Sequence, residues 1–391
     1  MADEKDLESL QERVNALKGF AGDTPSTPAS DEKAAEITEK ASEASQKPLV
    51  TKEKLIGKAA ESPKGPVGLD IGTIHIVVAQ NKRNYIETIQ ELNAFFTVPN
   101  TKFAKDILNR KEVTYHERQN QYYIIGYSAE SFANVFNANT RRPMKEGFLS
   151  SNEVEGLSVI QAIVNTLIRK PKKFGEVLCF VIPGEPLNGT GNVVYHESVI
   201  KKFIGSLGYS PLSINEGMAI VLSELSEDDF TGIGISMGGG MCNVCLSYLS
   251  FPVITYGIQM AGDYIDSMVG AAVGEPATKI KAIKEEELDL TREPKDRVMT
   301  ALNIFYDELI FKLLESLQRV LTSRENIPKI KAPIPVVLSG ATAMPKGCKE
   351  KFENMLKNVS LPVEISTVRL AEELLCTSAK GALIMAMTEA G

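Results

Sequence analysis

The chain lacks the long apolar run that would place it in a membrane. Its most apolar helical stretch, Val298–Leu321, is interrupted by Asp307, Glu308, Lys312 and Glu315, whereas a span needs roughly 18 consecutive apolar residues. The N-terminal MADEKDLESLQERV is acidic and has no apolar core of the kind found in secretory signals. We therefore expect a cytoplasmic protein with no integral membrane segment.

Cysteine is also scarce. The five cysteines are scattered and odd in number, which is unlike a disulfide framework. Only Cys242 and Cys245 lie close together, and a zinc site needs a second such pair. The surrounding GMCNVCLSYL is typical of a buried strand, so we interpret these two cysteines as core residues.

Positive charge and histidine are limited as well. The net charge of -7 argues against an extended basic face that binds nucleic acid. The three histidines, His75, His116 and His196, share no spacing that indicates a catalytic set. No serine lies in the pattern of a nucleophile elbow. Nucleic-acid binding and hydrolysis by a serine nucleophile are therefore not expected.

Residues 1–65 differ in composition from the rest of the chain. They contain one aromatic residue, Phe20, and are rich in small and charged residues, so they bury too little apolar surface to offset the entropy of ordering. We expect a disordered acidic and polar tail. Within it Leu7, Leu10, Val14 and Leu17 have the spacing of a short amphipathic helix or coiled-coil seam. Two alternatives stay open: a transient helix without a partner, or an element for self-association or for binding a partner protein.

From Pro66 onward, apolar strands alternate with amphipathic helices, and the same order of elements occurs twice. Each half begins with a hairpin whose first turn contains glycine, VGLDIGTIHIVVAQ in the first half and GIGISMGGGMCNVCLSYL in the second. Helices are predicted at Leu157–Ile168, in the first half, and at Val298–Thr322, in the second. The repetition predicts an α/β fold of two related lobes with a cleft between them.

The predicted boundaries follow from these patterns. Lobe I is expected over residues 66–215, with an inserted subdomain at about 98–150. Lobe II is expected over 216–391, with a helical subdomain at about 263–330. The last helix is expected to pack back on lobe I.

Three turns rich in small residues carry the predicted chemistry. In DIGT, Asp70 ends a strand and Gly72 permits close approach to the backbone, so amides and Thr73 can face a phosphate while the carboxylate faces a metal. Gly238, Gly239 and Gly240 form an equivalent turn in the second half, and the two turns together could hold a polyphosphate. A third turn, LSGATAMPKG, leaves room for a flat ring.

The ordered set DIGT, NEGMA, SMGGG and LSGATAMPKG resembles the nucleotide-binding motifs of the actin-like ATPase superfamily, over about residues 66–391. Within it RRPMKEGFLS and AGDYIDSMV are similar to segments of the bacterial branch that contains MreB and MamK. The resemblance implies an actin-like, duplicated RNase H-like fold of two lobes with a nucleotide cleft between them. It also implies ATP and Mg²⁺ as ligands.

The resemblance also assigns roles to individual residues. Asp70 would hold the magnesium ion through water, and Glu216 would orient the attacking water. Nucleotide contacts are implied for Gly72, Thr73, Ser236, Gly238, Gly239, Gly240, Lys281, Gly340, Ala341 and Thr342.

Three positions depart from the family pattern. Ser236 replaces the usual aspartate of the second phosphate motif, Met241 replaces a threonine, and Ala341 replaces a glycine. Since Ser236 adds no negative charge near the metal, we expect slow hydrolysis even where nucleotide binding is retained.

The function expected from the resemblance is a cytoplasmic, ATP-dependent, filament-forming protein whose main partner is another copy of itself. The alternative is an actin-fold scaffold, regulator or chaperone-reactivase-like ATPase that forms no filaments. A full chaperone would need a substrate-binding β domain after the ATPase, and a sugar kinase would need a substrate aspartate in a larger first lobe. Neither feature is recognised in the sequence.

Overall fold

The computed structural model describes residues 55–56, 61–83, 85–111, 113–136, 138–187, 189, 191–323, 328 and 330–390. Most of the predicted tail, including the Leu7–Leu17 seam, lies outside this part of the chain. Two residues of that stretch, Leu55 and Ile56, form a short strand that pairs with His116 and Tyr115.

The strands and helices follow in this order along the chain. The strands are β1 (Leu55–Ile56), β2 (Val67–Ile71), β3 (His75–Lys82), β4 (Tyr85–Leu92), β5 (Phe95–Pro99), β6 (Tyr115–Arg118), β7 (Gln121–Ile125), β8 (Met144–Lys145), β9 (Phe148–Leu149), β10 (Val177–Ile182), β11 (Ser210–Asn215), β12 (Gly232–Met237), β13 (Cys242–Tyr248), β14 (Phe251–Ile258), β15 (Ile334–Ser339) and β16 (Ile365–Leu370). The helices are α1 (Lys102–Arg110), α2 (Tyr127–Val135), α3 (Gly156–Leu167), α4 (Val193–Ser206), α5 (Glu216–Glu224), α6 (Gly262–Val273), α7 (Ala277–Glu287), α8 (Arg297–Ser323), α9 (Cys348–Leu356) and α10 (Thr377–Ala390).

Two five-stranded sheets share one plan. In the first, the order is β11-β10-β2-β3-β4, and in the second it is β14-β13-β12-β15-β16. In each, three consecutive strands form an antiparallel meander, and two later strands add in parallel beside the first strand of that meander. This repetition confirms the duplicated α/β fold expected from the sequence.

Two smaller sheets, one of four strands and one of two, also form in the first half of the chain. A four-stranded sheet, β1-β6-β7-β5, packs with α1 and α2 around a separate apolar cluster that contains Leu108, Tyr115, Tyr122 and Ile124. Its strands β6 and β7 and both helices fall within the predicted insertion at about 98–150, whereas β1 and the start of β5 lie before it. The hairpin β8-β9 comes from the RRPMKEGFLS segment.

The second sheet is covered by the long helix α8. Its buried face, which includes Leu302, Phe305, Leu309 and Leu313, joins side chains of β12 and β15 in the largest core cluster. The observed helix exceeds the predicted one by one residue at each end. Cys242 and Cys245 are buried on β13, where they pack with apolar neighbours. No described helix is both long and apolar enough to cross a bilayer.

Helices α5 and α10 lie between the two sheets. Their apolar residues form one cluster with Val181 of the first sheet and Cys245 and Val337 of the second. Close packing depends on glycine: a Cβ at Gly381 of α10 would lie 1.8 Å from the carbonyl oxygen of Ala219 in α5. A Cβ at Gly68 of β2 would lie 2.1 Å from the carbonyl oxygen of Ala379. The last helix thus packs on β2 of the first sheet.

We predict that Gly381→Ala destabilises the protein by about 1–3 kcal/mol, because the added methyl group has no space between α10 and α5. Urea or thermal unfolding measures the change. The matched control is Gly205→Ala in α4, where no atom lies within 4 Å of the new methyl group, and where helix propensity predicts a gain of up to about 1 kcal/mol. Equal stability of the Gly381→Ala variant and the parent would contradict the observed helix contact.

Candidate functional site

The cleft between the sheets is lined by the ends of their central strands. Beyond β2 the chain turns at Gly72, and beyond β12 it turns at Gly238–Gly240; these two hairpin turns face each other. They enclose a cavity of about 80 Å³. The predicted site residues that line the cavity are Asp70, Gly72, Thr73, Glu216, Ser236, Gly238, Gly239, Gly240, Gly340 and Ala341.

Two carboxylates, Asp70 and Glu216, line the cavity close enough for their charges to interact. Burial raises the pKa of Asp70 well above its ordinary range, and the nearby negative charge of Glu216 raises it further. Burial also raises the pKa of Glu216. Among the described residues, no lysine or arginine lines the cavity. Since two buried like charges are unfavourable together, the pair either holds a proton or requires a cation from outside.

Glu216 is held in place through both of its carboxylate oxygens. Ser236 Oγ donates to Oε1 at 2.6 Å, and Asn243 Nδ2 donates to Oε2. Asn243 is itself fixed, because its Oδ1 accepts from the amide of Gly184 at 2.8 Å. These hydrogen bonds oppose the effect of burial on the pKa of Glu216.

The local sequence explains why Glu216 points into the cleft. It is the first residue of α5, and the side chain of Asn215 caps that helix by accepting from the amides of Gly217 at 3.0 Å and Met218 at 3.3 Å. A helix N-terminus also favours a negative side chain. The sequence analysis did not single out Asn243. The signal in the sequence is an amide side chain among the apolar residues of β13, where the structure buries it.

Glycine at positions 239 and 240 allows the backbone of the second lobe to lie directly against side chains of the first. A Cβ at Gly239 would lie 2.3 Å from Ile74, and one at Gly240 would lie 2.6 Å from Thr73 Oγ1. Thr73 Oγ1 also accepts from the amide of Gly147, at 3.2 Å. The space that the sequence suggested for a polyphosphate is therefore occupied here by Thr73, Ile74 and the β8-β9 turn.

The turn in LSGATAMPKG packs against the Gly238–Gly240 turn. Gly340 has a φ of +93°, and a Cβ there would lie 2.3 Å from the carbonyl oxygen of Met237. Thr342 does not line the cavity; its Oγ1 donates to the carbonyl oxygen of Gly238 at 2.7 Å. Thr342 thus stabilises the Gly238–Gly240 turn without lining the cavity.

Lys281 lies outside the cavity lining. Its ammonium group is 3.6 Å from Glu130 and 3.8 Å from Glu285. The buried lysine of this region is Lys284, one turn further along α7. It lies 2.7 Å from Asp266 and donates to the carbonyl oxygen of Gly262 at 3.1 Å. The sequence analysis did not single out Lys284, although its place on the apolar face of α7, beside Ile280, was a usable signal.

An ion pair spans the mouth of the cleft. Nη1 of Arg142 donates to both carboxylate oxygens of Asp263, at 2.7 and 2.9 Å. The amide of Asp263 in turn donates to the carbonyl oxygen of Gly239 at 2.8 Å. Burial, followed by the positive charges of Lys281 and Arg142, lowers the pKa of His75 to about 4, so this cavity-lining imidazole is neutral at pH 7. The ion pair connects the segment before β8 to the glycine turn of the second sheet.

The fold is shared with solved structures of MamK and of MreB5 from Spiroplasma citri. The structure described as the MamK double helical filament is 17% identical and covers 82% of this chain and 98% of its own, with a TM-score of 0.60. MreB5 of Spiroplasma citri bound to AMPPNP is 13% identical and covers 84% of this chain and 98% of its own, with a TM-score of 0.59. A non-polymerising MamK mutant bound to AMPPNP is 16% identical and covers 84% of this chain and 100% of its own, with a TM-score of 0.52. The chain therefore has the actin-like fold.

A search among curated protein sequences finds no match. A family model described as Volactin matches residues 66–386, which include both five-stranded sheets, both glycine turns and the helices between the sheets. Because the match extends over most of the chain, the protein belongs to the Volactin family.

Proposed function

We propose that the cleft binds a magnesium-nucleotide complex, with ATP as the ligand. The observation that carries the proposal is the pair of partly buried carboxylates, Asp70 and Glu216, in a cavity that is also lined by the turns at Gly72 and Gly238–Gly240. A cation that arrives with phosphates relieves the repulsion of the pair. Support also comes from MreB5 of Spiroplasma citri, whose structures are bound to ADP and to AMPPNP, and from the MamK mutant bound to AMPPNP.

The donor set fits magnesium. Mg²⁺ in nucleotide sites takes one or two protein carboxylates and completes its shell with water and phosphate oxygens. The described residues contain no cluster of three or more side chains that could bind a metal alone, so a metal held jointly with phosphates is favoured. Asp70 would hold the ion through water, and the ion would neutralise phosphate charge.

Nucleotide entry requires the lobes to separate. A cavity of about 80 Å³ is well below the range of roughly 300–1,000 Å³ of small-molecule pockets. The contacts between the lobes that must loosen include those of Gly239 and Gly240 with Ile74 and Thr73, and the ion pair of Arg142 and Asp263. Gly72, Thr73 and Gly238–Gly240 would then approach the phosphates, while Gly340 and Ala341 flank the base. A role for Lys281 near the ribose would require it to leave Glu130.

Hydrolysis is proposed to be slow. Glu216 is the candidate for orienting water, but both of its oxygens are engaged by Ser236 and Asn243. Two of the roughly four acceptor sites of the carboxylate are thus taken by protein donors, which leaves fewer for a water molecule. Ser236 also supplies no charge to the metal.

Filament formation is the proposed use of the nucleotide-bound state. It is supported by the fold shared with MamK, a protein whose structure is a double helical filament. The chain would then bind further copies of itself end to end through its two lobes. The closed cleft and the serine at position 236 favour slow nucleotide turnover, which suits long-lived polymers.

The nucleotide proposal predicts opposite effects of Asp70→Asn with and without ligand. The raised pKa means that the folded chain binds the Asp70 proton more tightly than the unfolded chain, so ionisation at neutral pH costs stability. Asp70→Asn should therefore raise the melting temperature of the free protein. It should abolish the magnesium-dependent stabilisation by ATP, which in the parent amounts to about 2.7 kcal/mol at a hundredfold excess over Kd.

A thermal-shift titration with ATP, ADP and GTP, each with and without magnesium, tests this. The control is Asp229→Asn, an exposed acid whose φ of +50° asparagine tolerates; it should respond to nucleotide as the parent does. Absence of any nucleotide effect on the parent protein would count against the proposed ligand.

The hydrolysis proposal predicts that Ser236→Asp increases the ATPase rate in saturating magnesium, because it adds charge beside the metal. Ser236→Ala, the matched control, removes the hydrogen bond to Glu216 without adding charge, so any rise that it produces measures the effect of freeing Glu216, and only the excess of Ser236→Asp over Ser236→Ala measures the added charge. Glu216→Ala should lower whatever rate exists by about 10²-fold or more, the usual loss of a group that activates water. Phosphate release measures all three. A parent rate that Ser236→Asp leaves unchanged would show that the serine does not limit turnover.

The filament proposal predicts polymers in electron micrographs and a rise in light scattering when ATP and magnesium are added. Deleting residues 1–54, which retains β1, should preserve both nucleotide binding and single filaments, because the lobes supply the proposed contacts. Bundling or partner recruitment is what the deletion should alter, since weak segments gain effective concentration along a polymer. Loss of single filaments on deletion would place the N-terminal segment in the assembly interface, and dispersed particles in all conditions would favour the non-filamentous alternative.

A further inference from the structure

A loop with an unusual concentration of positive charge lies before β10. Arg169, Lys170, Lys172 and Lys173 are all exposed, and Phe174 at the end of this run is 87% exposed. We define residues 169–174 as the basic loop. The described part of the chain gives its three lysines no carboxylate partner within ion-pair distance. The loop is thus a local concentration of positive charge on a protein whose net charge is -7.

The basic loop is held in a fixed shape. Ile168 before it is fully buried, and the amide of Gly175 after it donates to the carbonyl oxygen of Gly208 at 2.8 Å. The hydroxyl of Tyr209 donates to the carbonyl oxygen of Arg169. The ring of Phe174 lies against Gly208, where a Cβ would be 3.4 Å from it, while most of the ring faces solvent. A preorganised loop that exposes an aromatic ring among cations costs little to bind.

The N-terminal segment of the same chain has the complementary chemistry. Residues 3–17 carry five carboxylates, against Lys5 and Arg13 alone. Their apolar residues, at the helical spacing noted above, would form a stripe beside the acidic positions. Charges of opposite sign and an apolar stripe that can cover Phe174 make this segment a better match for the basic loop than a neutral surface.

The connection between the two regions is long enough for them to meet. Val67, the first residue of β2, pairs with Leu178 of the parallel strand β10, just after the basic loop, so the chain directly before β2 lies at the loop's end of the first sheet. Further back along the chain, β1 pairs with β6, and the N-terminal segment therefore continues from the four-stranded sheet. The 38 residues from 17 to 55 reach up to about 125 Å when extended, which allows residues 3–17 to reach the loop.

From this geometry we propose that residues 3–17 bind intramolecularly to the basic loop, with carboxylates against Lys170, Lys172 and Lys173 and the apolar stripe over Phe174. The tethered segment meets the loop at an effective concentration in the millimolar range, so even weak complementarity suffices. Raised salt weakens the contact because its charges are exposed.

The absence of tryptophan from the chain gives a clean test in the full-length protein. Phe174→Trp places a single fluorophore on the loop, and acrylamide quenching measures its accessibility. Replacing Leu7, Leu10, Val14 and Leu17 together by serine should raise the quenching constant several-fold. The matched control is Phe251→Trp, at a site that is 75% exposed on β14, where the same four serine substitutions should change nothing.

Zero-length carbodiimide coupling, which joins a carboxylate to a lysine as an amide, provides a second readout without changing Phe174. Peptides of residues 3–17 should be joined to Lys170, Lys172 or Lys173 in preference to the exposed lysines Lys102, Lys105 and Lys357. Replacing the three loop lysines by glutamate should abolish these products, and the corresponding triple substitution of the control lysines should not.

Three results would overturn the proposal. One is a Phe174→Trp fluorophore as accessible as that of Phe251→Trp and insensitive to the N-terminal substitutions. Another is protection that disappears on dilution, since this would assign the contact to a second copy of the chain. The third is a fluorophore that is accessible in the free protein and becomes protected only when anionic phospholipid vesicles are added, since this would assign the loop to a lipid surface.

Discussion

The close approach of the two sheets to helices α5 and α10 is the constraint on which the site depends. Glycine makes this approach possible: a Cβ at Gly217 would lie 2.6 Å from the amide nitrogen of Cys245, and one at Gly234 would lie 2.4 Å from the carbonyl oxygen of Gly217. The first turn of α5 therefore rests directly on β12 and β13. For that reason Glu216, at the start of α5, reaches Ser236 and Asn243 on those strands.

The same close packing brings two acidic side chains together, and the described cavity lining contains no lysine or arginine side chain to neutralise them. Asp70 comes from the first sheet and Glu216 from α5, and both carboxylates lie in a cavity with no cationic side chain in its described lining. Burial is the main cause of the raised pKa of both groups, and the charge of Glu216 raises the pKa of Asp70 further. Keeping both ionised therefore costs stability, which the proposed cation, bound with phosphates, would offset.

The lobes are joined across the cleft by contacts that differ in kind from those in the cores. The cores of the two sheets are apolar and tightly packed. The contacts across the cleft are mixed: they include the glycine turn of the second lobe, the partly exposed pair of Arg142 and Asp263, a small apolar cluster of Phe148 with Met241, and backbone hydrogen bonds to Gly257. Partly exposed ion pairs contribute little to stability. The opening that the proposal requires would therefore break this pair at little cost, and the amide of Asp263 connects the pair to the glycine turn through its hydrogen bond to the carbonyl oxygen of Gly239.

The sequence by itself determined the repeated order of strands and helices, the positions of the three small-residue turns and the placement of Asp70 and Glu216 at element ends. These features are local, because periodicity, a capping asparagine and glycine content act within a few residues. It also pointed to the actin-like fold through the order of four motifs. Only the tertiary structure decided that Asn243 fixes Glu216, that Lys284 rather than Lys281 is buried beside Gly262, and that the two glycine turns touch. Each of these depends on the distance between residues far apart in the chain, which is fixed by how the sheets and helices pack and is not encoded in any short segment.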